Sequence, residues 1–268
     1  MNVDPNSSVS ASLNGYLATL TTEAKALASA ADEAGLDAAV PTCPGWTVNN
    51  LVLHLGEVHR WATAAIANRA TKLGEVPLDF LGPIPERDAT IEWFRSGAVM
   101  LRDTLAAADP SIEYAAFLAN PITPRVRFWA RRQTMETCVH RVDAESAVSR
   151  CTPFAPAIAP DVAIDGIDEF LTGFLPRART PLRADMPHTL EIAPDYSDHR
   201  WTVTISDELP ITVRGIAETT GERHCILSGS ASDIYLALWN RTSLDGLTID
   251  GDRTPIDLLR DSVHIRWG

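Results

Sequence analysis

The chain has 268 residues, 45% of them hydrophobic, which is enough for two domains with sizeable cores. It carries 23 basic and 35 acidic side chains, so its formal net charge is −12 at pH 7. That balance argues against nucleic acid and against an anionic membrane as partners. Residues 1–16 lack the basic and apolar regions of a leader peptide, and no apolar run is long enough to span a bilayer. We therefore expect a cytoplasmic protein, and we expect it to be a monomer.

Four helices are predicted in the amino-terminal part of the chain, because apolar side chains recur there at helical spacing. Thr47 is suited to cap the second helix, and Gly35 is suited to end the first. The predicted ranges are Ser10 to Ala34, Val48 to about Ala70, Thr90 to Ala108, and Arg127 or Phe128 to Ser149. Four helices of this length with apolar stripes are typical of a four-helix bundle, which builds metal sites from side chains on facing helices.

One face of the fourth helix combines a carboxylate with an imidazole. Glu136 and His140 are four residues apart, so they lie only about 40° apart on the helix, beside its apolar stripe. The alternative for this pair is an ordinary hydrogen bond at the surface between residues i and i+4. Asp143 continues the same face by one turn, where it could either orient His140 or pair with an arginine.

A third candidate ligand lies on the second helix. His54 falls inside the apolar stripe of that helix, whereas His59 is turned about 140° away and is expected at the edge or surface of the bundle. A single histidine on an apolar face is more often a core residue that bonds a neighbour. Two helices that each point a ligand-type side chain inward favour a divalent cation, because an unpaired buried carboxylate is costly. The hypothesis is a metal site formed by His54, Glu136 and His140.

The carboxy-terminal part of the chain, from about residue 155, reads as an α+β domain. It follows a proline-rich segment and begins with a helix from Pro160 to about Leu175. The short β-rich runs are Thr189 to Ile192, Trp201 to Ile205, Ile211 to Val213, Cys225 to Leu227, and Leu247 to Ile249. A further helix is predicted from Ser230 to Trp239. The strand that begins at Trp201 alternates as a one-sided strand should.

Four stretches resemble one known family. VPTCPGWTVNNLVLHLGEVHRWA and WARRQTMETCVHRVDAE are similar to the bundle motifs of the mycothiol-dependent maleylpyruvate isomerase family, and GSASDIYLALWNR followed by LTIDGD is similar to its second domain. The resemblance implies a DinB-like metal-binding four-helix bundle in residues 1–150. It also implies a smaller α+β domain in residues 155–268 that covers or completes the active site. The family's His-Glu-His triad falls on His54, Glu136 and His140.

The implied chemistry follows from this donor set. Two imidazoles and one carboxylate leave one position of a tetrahedral Zn²⁺ ion open, although other divalent metals suit the same ligands. A thiol entering that position would be deprotonated by the metal. In the family that thiol is mycothiol, and the resemblance implies that its metal-bound thiolate adds to an unsaturated dicarboxylate, permits rotation and is eliminated. Arg241 is the candidate cation for the substrate carboxylates, and its alternative role is an interaction with a helix end.

The expected function is thus a metal- and mycothiol-dependent isomerase or thiol S-transferase that acts on a small molecule. Two functions of other classes stay open at this point. The first is a metal-dependent hydrolase, in which bound water attacks in place of a thiolate. The second is a non-catalytic ligand-binding protein that keeps the metal as a structural element.

Overall fold

The computed structural model describes residues 9–148, 156–216 and 224–265. Within it the chain divides into two compact units. The first comprises Ala11–Phe117 and Pro121–Pro156, and the second comprises Met1–Ser10, Leu118–Asn120 and Ala157–Gly268. The expected domain boundary between residues 150 and 155 lies outside the described residues. The predicted fold class is confirmed, because a helical bundle is followed by a smaller unit of helices and one sheet.

The first unit is a bundle of four helices. They are α1 (Leu13–Ala34), α2 (Val48–Ala67), α3 (Thr90–Ala107) and α4 (Arg125–Val148). The predicted cap of α2 is confirmed, since the Thr47 side chain accepts a hydrogen bond from the backbone N–H of Asn50. The predicted end of α1 is also confirmed, because Gly35 has a φ of 80°, a conformation that glycine adopts without strain.

Helix α4 is buried on more of its faces than its predicted apolar stripe suggests. The helix α1 packs against α3 and α4, and α2 packs against the same two helices. Leu27, Leu51, Leu55 and Phe94 are fully buried in the core between them. Nearly every side chain of α4 from Val126 to Ala147 is buried, including its charged ones. Polar groups on α4 therefore need partners inside the bundle.

The second unit is an α+β arrangement. Its elements are α5 (Pro160–Glu169), β1 (His188–Pro194), β2 (Trp201–Ile205), β3 (Ile211–Arg214), β4 (His224–Gly229), α6 (Ala231–Leu238), β5 (Thr248–Gly251) and α7 (Thr254–Ser262). The segment predicted as one helix to Leu175 is α5 followed by a π-helical turn at Phe170–Phe174. The helix α7 was not predicted, and it packs against β1 and β4.

The five strands form one mixed sheet in the order β3-β2-β1-β4-β5. Only the central pair, β1 with β4, is parallel, and the other pairs of these strands are antiparallel. The prediction that β2 has one exposed face is wrong, because Thr202 is buried and its hydroxyl donates to the carbonyl of Gly215. None of the described helices combines the length and apolar character that crossing a membrane requires.

Candidate metal centre

The helices α2 and α4 bring the three predicted ligands together. Glu136 Oε1 lies 3.3 Å from Nε2 of His140 and 3.6 Å from Nε2 of His54. One candidate ligand atom of each residue lies within 4.8 Å of the other two. The three side chains therefore converge as the helical spacing predicts, and their donor atoms are close enough to share one cation.

The two oxygens of Glu136 have different surroundings. Oε2 accepts a hydrogen bond of 2.7 Å from Nη2 of Arg132, and both side chains are almost wholly excluded from solvent. Oε1 has no hydrogen-bond partner within the described parts of the chain, and its nearest polar neighbours are Nε2 of His140 and Nε2 of His54. A buried carboxylate oxygen without a donor is costly, and a divalent cation would compensate for it. The residues present thus fit a metal ion.

Glu136 is also held in the protonation state that a ligand needs. Burial alone would raise the pKa of this carboxyl. The nearby imidazoles of His140 and His54 and the guanidinium of Arg132 outweigh burial and hold the pKa well below its usual range. The side chain is therefore an anion at neutral pH, as metal coordination requires.

Asp143 orients the imidazole of His140. The ring atom Nδ1 lies 2.8 Å from Asp143 Oδ2, and since a carboxylate only accepts, Nδ1 carries the hydrogen. Metal binding requires the neutral ring, in which the hydrogen on Nδ1 leaves the lone pair on Nε2 for the metal. Carboxylate–histidine pairs of this kind set the tautomer of metal-binding histidines. The contact with His140 is one of the two roles considered for Asp143.

The loop before α2 completes this arrangement. Thr42 donates a hydrogen bond of 2.6 Å to Oδ1 of Asp143, which fixes the carboxylate from its other side. The indole of Trp46 lies against both imidazoles, with ring centroids 5.1 Å from His54 and 6.4 Å from His140. Its contact with two candidate ligands makes it a wall of the site.

His59 corrects one prediction from the helical wheel. Its side chain is fully buried, with Nε2 3.0 Å from the hydroxyl of Thr137 and its ring 5.4 Å from that of Phe94. The expected position at the edge or surface was wrong because α2 packs against both α3 and α4, so a face turned away from His54 is still inside. Burial lowers the pKa of His59 to about 3, and the ring is neutral.

A second cluster offers a different donor set. Cys43, His140 and Asp143 also bring candidate ligand atoms within 4.8 Å of one another. His140 Nδ1 and Asp143 Oδ2, however, already bond each other at 2.8 Å, so an ion there would have to break that contact. The set of His54, Glu136 and His140 needs no such change, and it is the better candidate.

Arg241 lies in the second unit, just after α6. Its Nη1 donates a hydrogen bond of 2.9 Å to the carbonyl of Trp239, and its backbone N–H donates to the carbonyl of Leu236. These contacts are those of a cation at a helix C-terminus, the alternative role considered above. The role of Arg241 toward substrate stays a prediction.

Comparison with known families accounts for both units. The family model "Mycothiol maleylpyruvate isomerase N-terminal domain" matches residues 17–145, and the model "MDMPI C-terminal domain" matches residues 161–257. No curated protein matches the chain.

Two solved structures share the fold. The crystal structure of the mycothiol-dependent maleylpyruvate isomerase aligns with a TM-score of 0.59 and 14% identity, over 90% of this chain and 93% of that one. A histidine-to-alanine mutant of the mycothiol-dependent maleylpyruvate isomerase aligns with a TM-score of 0.55 at the same identity and coverage. At this identity the likeness concerns the fold alone.

Proposed function

The chain belongs to the mycothiol-dependent maleylpyruvate isomerase family, and from this premise we propose that it is a metal- and mycothiol-dependent isomerase or thiol S-transferase. Its proposed substrate is a small unsaturated dicarboxylate such as maleylpyruvate. The observation that carries the proposal is the buried Oε1 of Glu136, which lies between two imidazoles without a hydrogen-bond donor. Such an atom is an appropriate ligand for a divalent cation.

We propose zinc as the ion, held by His54, Glu136 and His140. Two nitrogen donors and one oxygen donor are the ligands of many catalytic zinc sites, which keep a fourth position for substrate. An ion there would lower the pKa of a thiol and make it a thiolate at neutral pH. Mycothiol would supply the nucleophile, and its addition would turn the carbon–carbon double bond into a single bond. Rotation about that single bond, followed by elimination of the thiolate, would restore the double bond in the other isomer.

The protein's own side chains prepare the site for this chemistry. Asp143 fixes the tautomer of His140 and so leaves the lone pair of Nε2 available to bind a metal ion. Trp46 packs against the two imidazoles and limits the freedom of their rings. Arg241 remains the proposed contact for a substrate carboxylate, and a planar guanidinium suits that purpose because it can bond both oxygens.

A direct assay tests this function. Zinc-loaded protein is incubated with maleylpyruvate, with and without mycothiol, and the ratio of cis to trans isomer is followed by chromatography. We expect isomerisation only when the thiol is present, and we expect its loss in His54→Ala. An accumulating thiol adduct would identify S-transfer as the reaction. Turnover that ignores the thiol, or no isomer and no adduct from loaded protein, would contradict the proposal.

A further inference from the structure

Arg132 is a buried cation one helical turn before a proposed ligand. Its side chain is 0% exposed, and Nη2 donates a hydrogen bond of 2.7 Å to Oε2 of Glu136. The order of the pair along α4, with the cation nearer the N-terminus, is the less favourable one for an isolated helix. Removing a guanidinium and a carboxylate from water also costs free energy. Apolar side chains of similar volume in their place often leave a protein equally stable or more stable. Stability of the helix is therefore an insufficient reason for the pair.

The contact has a clear consequence for the carboxylate. Oε2 is occupied by Arg132, while Oε1 faces Nε2 of His140 and Nε2 of His54 at 3.3 and 3.6 Å. A carboxylate can bind a cation through one oxygen or through both. With both oxygens bound, two histidines and Glu136 would already fill the four positions that zinc prefers. A thiol would then have to displace a ligand atom.

We propose that Arg132 is a positioning residue that makes Glu136 a ligand through one oxygen and so keeps a coordination position free for the thiol. This inference rests on the proposed function, since it concerns the same site. Arg132 acts by retaining Oε2 in a charge-assisted hydrogen bond, which is among the stronger kinds of polar contact inside a protein.

The same helix offers a matched control. Arg141 is also mostly buried, and it donates hydrogen bonds of 2.6 Å to Glu145, four residues on, and to Glu23 on α1. Neither partner is a proposed ligand. Replacing Arg141 therefore removes a buried arginine–carboxylate pair from α4 without freeing an oxygen of Glu136.

The test measures coordination rather than activity. X-ray absorption spectra of the zinc-loaded protein count the light-atom neighbours of the metal, and a cobalt-loaded sample is titrated with mycothiol to follow the sulfur-to-metal charge-transfer band. In Arg132→Met we expect one more oxygen neighbour, and we expect half-saturation to need about 10- to 100-fold more thiol, a change as large as the loss of metal affinity or activity that follows removal of an outer partner of a ligand. Arg141→Met should match the wild type in both measurements.

A spectrum and a titration of Arg132→Met that equal those of the wild type would overturn the inference. Should Arg132→Met fail to fold, Arg132→Gln takes its place, because a neutral amide keeps a polar group at the buried position but removes the charge from the contact with Oε2. We then expect a smaller shift of the thiol titration in the same direction, and no shift would overturn the inference. A wild-type protein that binds no metal would instead contradict the proposed function.

Discussion

Each unit buries a carboxylate beside an arginine, and the two carboxylates differ in how many of their oxygens accept hydrogen bonds. In the second unit, Asp168 accepts hydrogen bonds of 2.6 and 2.8 Å from Nε and Nη2 of Arg214 and one of 2.9 Å from Nε1 of Trp201. Both of its oxygens are used. In the bundle, Glu136 accepts a hydrogen bond from Arg132 at one oxygen, and its other oxygen faces two imidazoles without a donor. The carboxylate of Asp168 therefore has a structural role, whereas that of Glu136 has one oxygen that could bind a metal ion.

The difference shows that burial and pairing do not by themselves identify a functional acid. What distinguishes Glu136 is that one of its oxygens has no hydrogen-bond partner among the described residues and lies beside two imidazole nitrogens that could bind the same metal ion. The following experiments test how burial and pairing act in the two units, beginning with the largest expected effect.

Lowering the pH should destabilise the protein, because the bundle buries a neutral histidine, His59. The pKa of His59 is about 3 in the folded protein because of burial, and about 6.5 when the chain is unfolded. The unfolded state therefore binds the proton first, and stability is fully present above pH 6.5 and is lost as pH falls toward 3. Between pH 6.5 and about pH 4.5 the wild type should lose about 2 kcal/mol more than His59→Leu, as measured by urea unfolding.

Replacement of the exposed His264 by leucine provides the control, because it removes a histidine from the surface and not from the interior. Parallel profiles for the wild type and His59→Leu would show that His59 takes up its proton equally well in the folded state.

Asp168→Asn should destabilise the protein without affecting the metal site. The change weakens the bonds to Trp201 and Arg214, and we expect a loss of about 2 kcal/mol in the free energy of unfolding. The value is below that for a fully buried pair because the Arg214 side chain is 39% exposed and can turn to water. Denaturant unfolding and metal analysis of the same sample check both points. Loss of metal from folded Asp168→Asn would break the distinction between the two carboxylates.

The triad could be predicted from the sequence because its information is local. Spacing places Glu136 and His140 on one face of α4, and an apolar stripe places His54 on the inner side of α2. The role of Arg132 could not be predicted in this way, since an arginine four residues before a glutamate is ordinarily a surface pair. Only the burial of α4 on nearly all sides makes it significant. His59 was misplaced for a related reason, because a helical wheel does not show how many neighbours a helix has.

Asp143→Asn should weaken metal binding without abolishing it. The amide can no longer hold the proton on Nδ1 of His140 as a carboxylate does, and we expect a 10- to 100-fold lower affinity, measured by competition with a chelator. Thr42→Val removes only the hydroxyl that bonds Asp143 and should have a smaller effect in the same direction. An unchanged affinity in both variants would mean that the His140 ring is oriented by its packing alone.

The smallest effect is expected for an exposed pair of the same chemistry. Arg253 and Asp257 are four residues apart at the start of α7, with side chains 58% and 45% exposed and a separation of 3.0 Å. Arg253→Gln should cost no more than about 0.5 kcal/mol of stability, because water screens such pairs. A cost near that of Asp168→Asn would show that pairing, and not burial, determines the strength of these contacts.

The central claim is that His54, Glu136 and His140 bind a divalent metal. Elemental analysis of the purified protein, for the wild type beside His140→Ala, tests it most directly. The account predicts a stoichiometric divalent ion in the wild type and its loss in a variant that keeps its helical content. A well-folded wild type that takes up no metal after reconstitution, or a His140→Ala protein that retains it, would contradict the account.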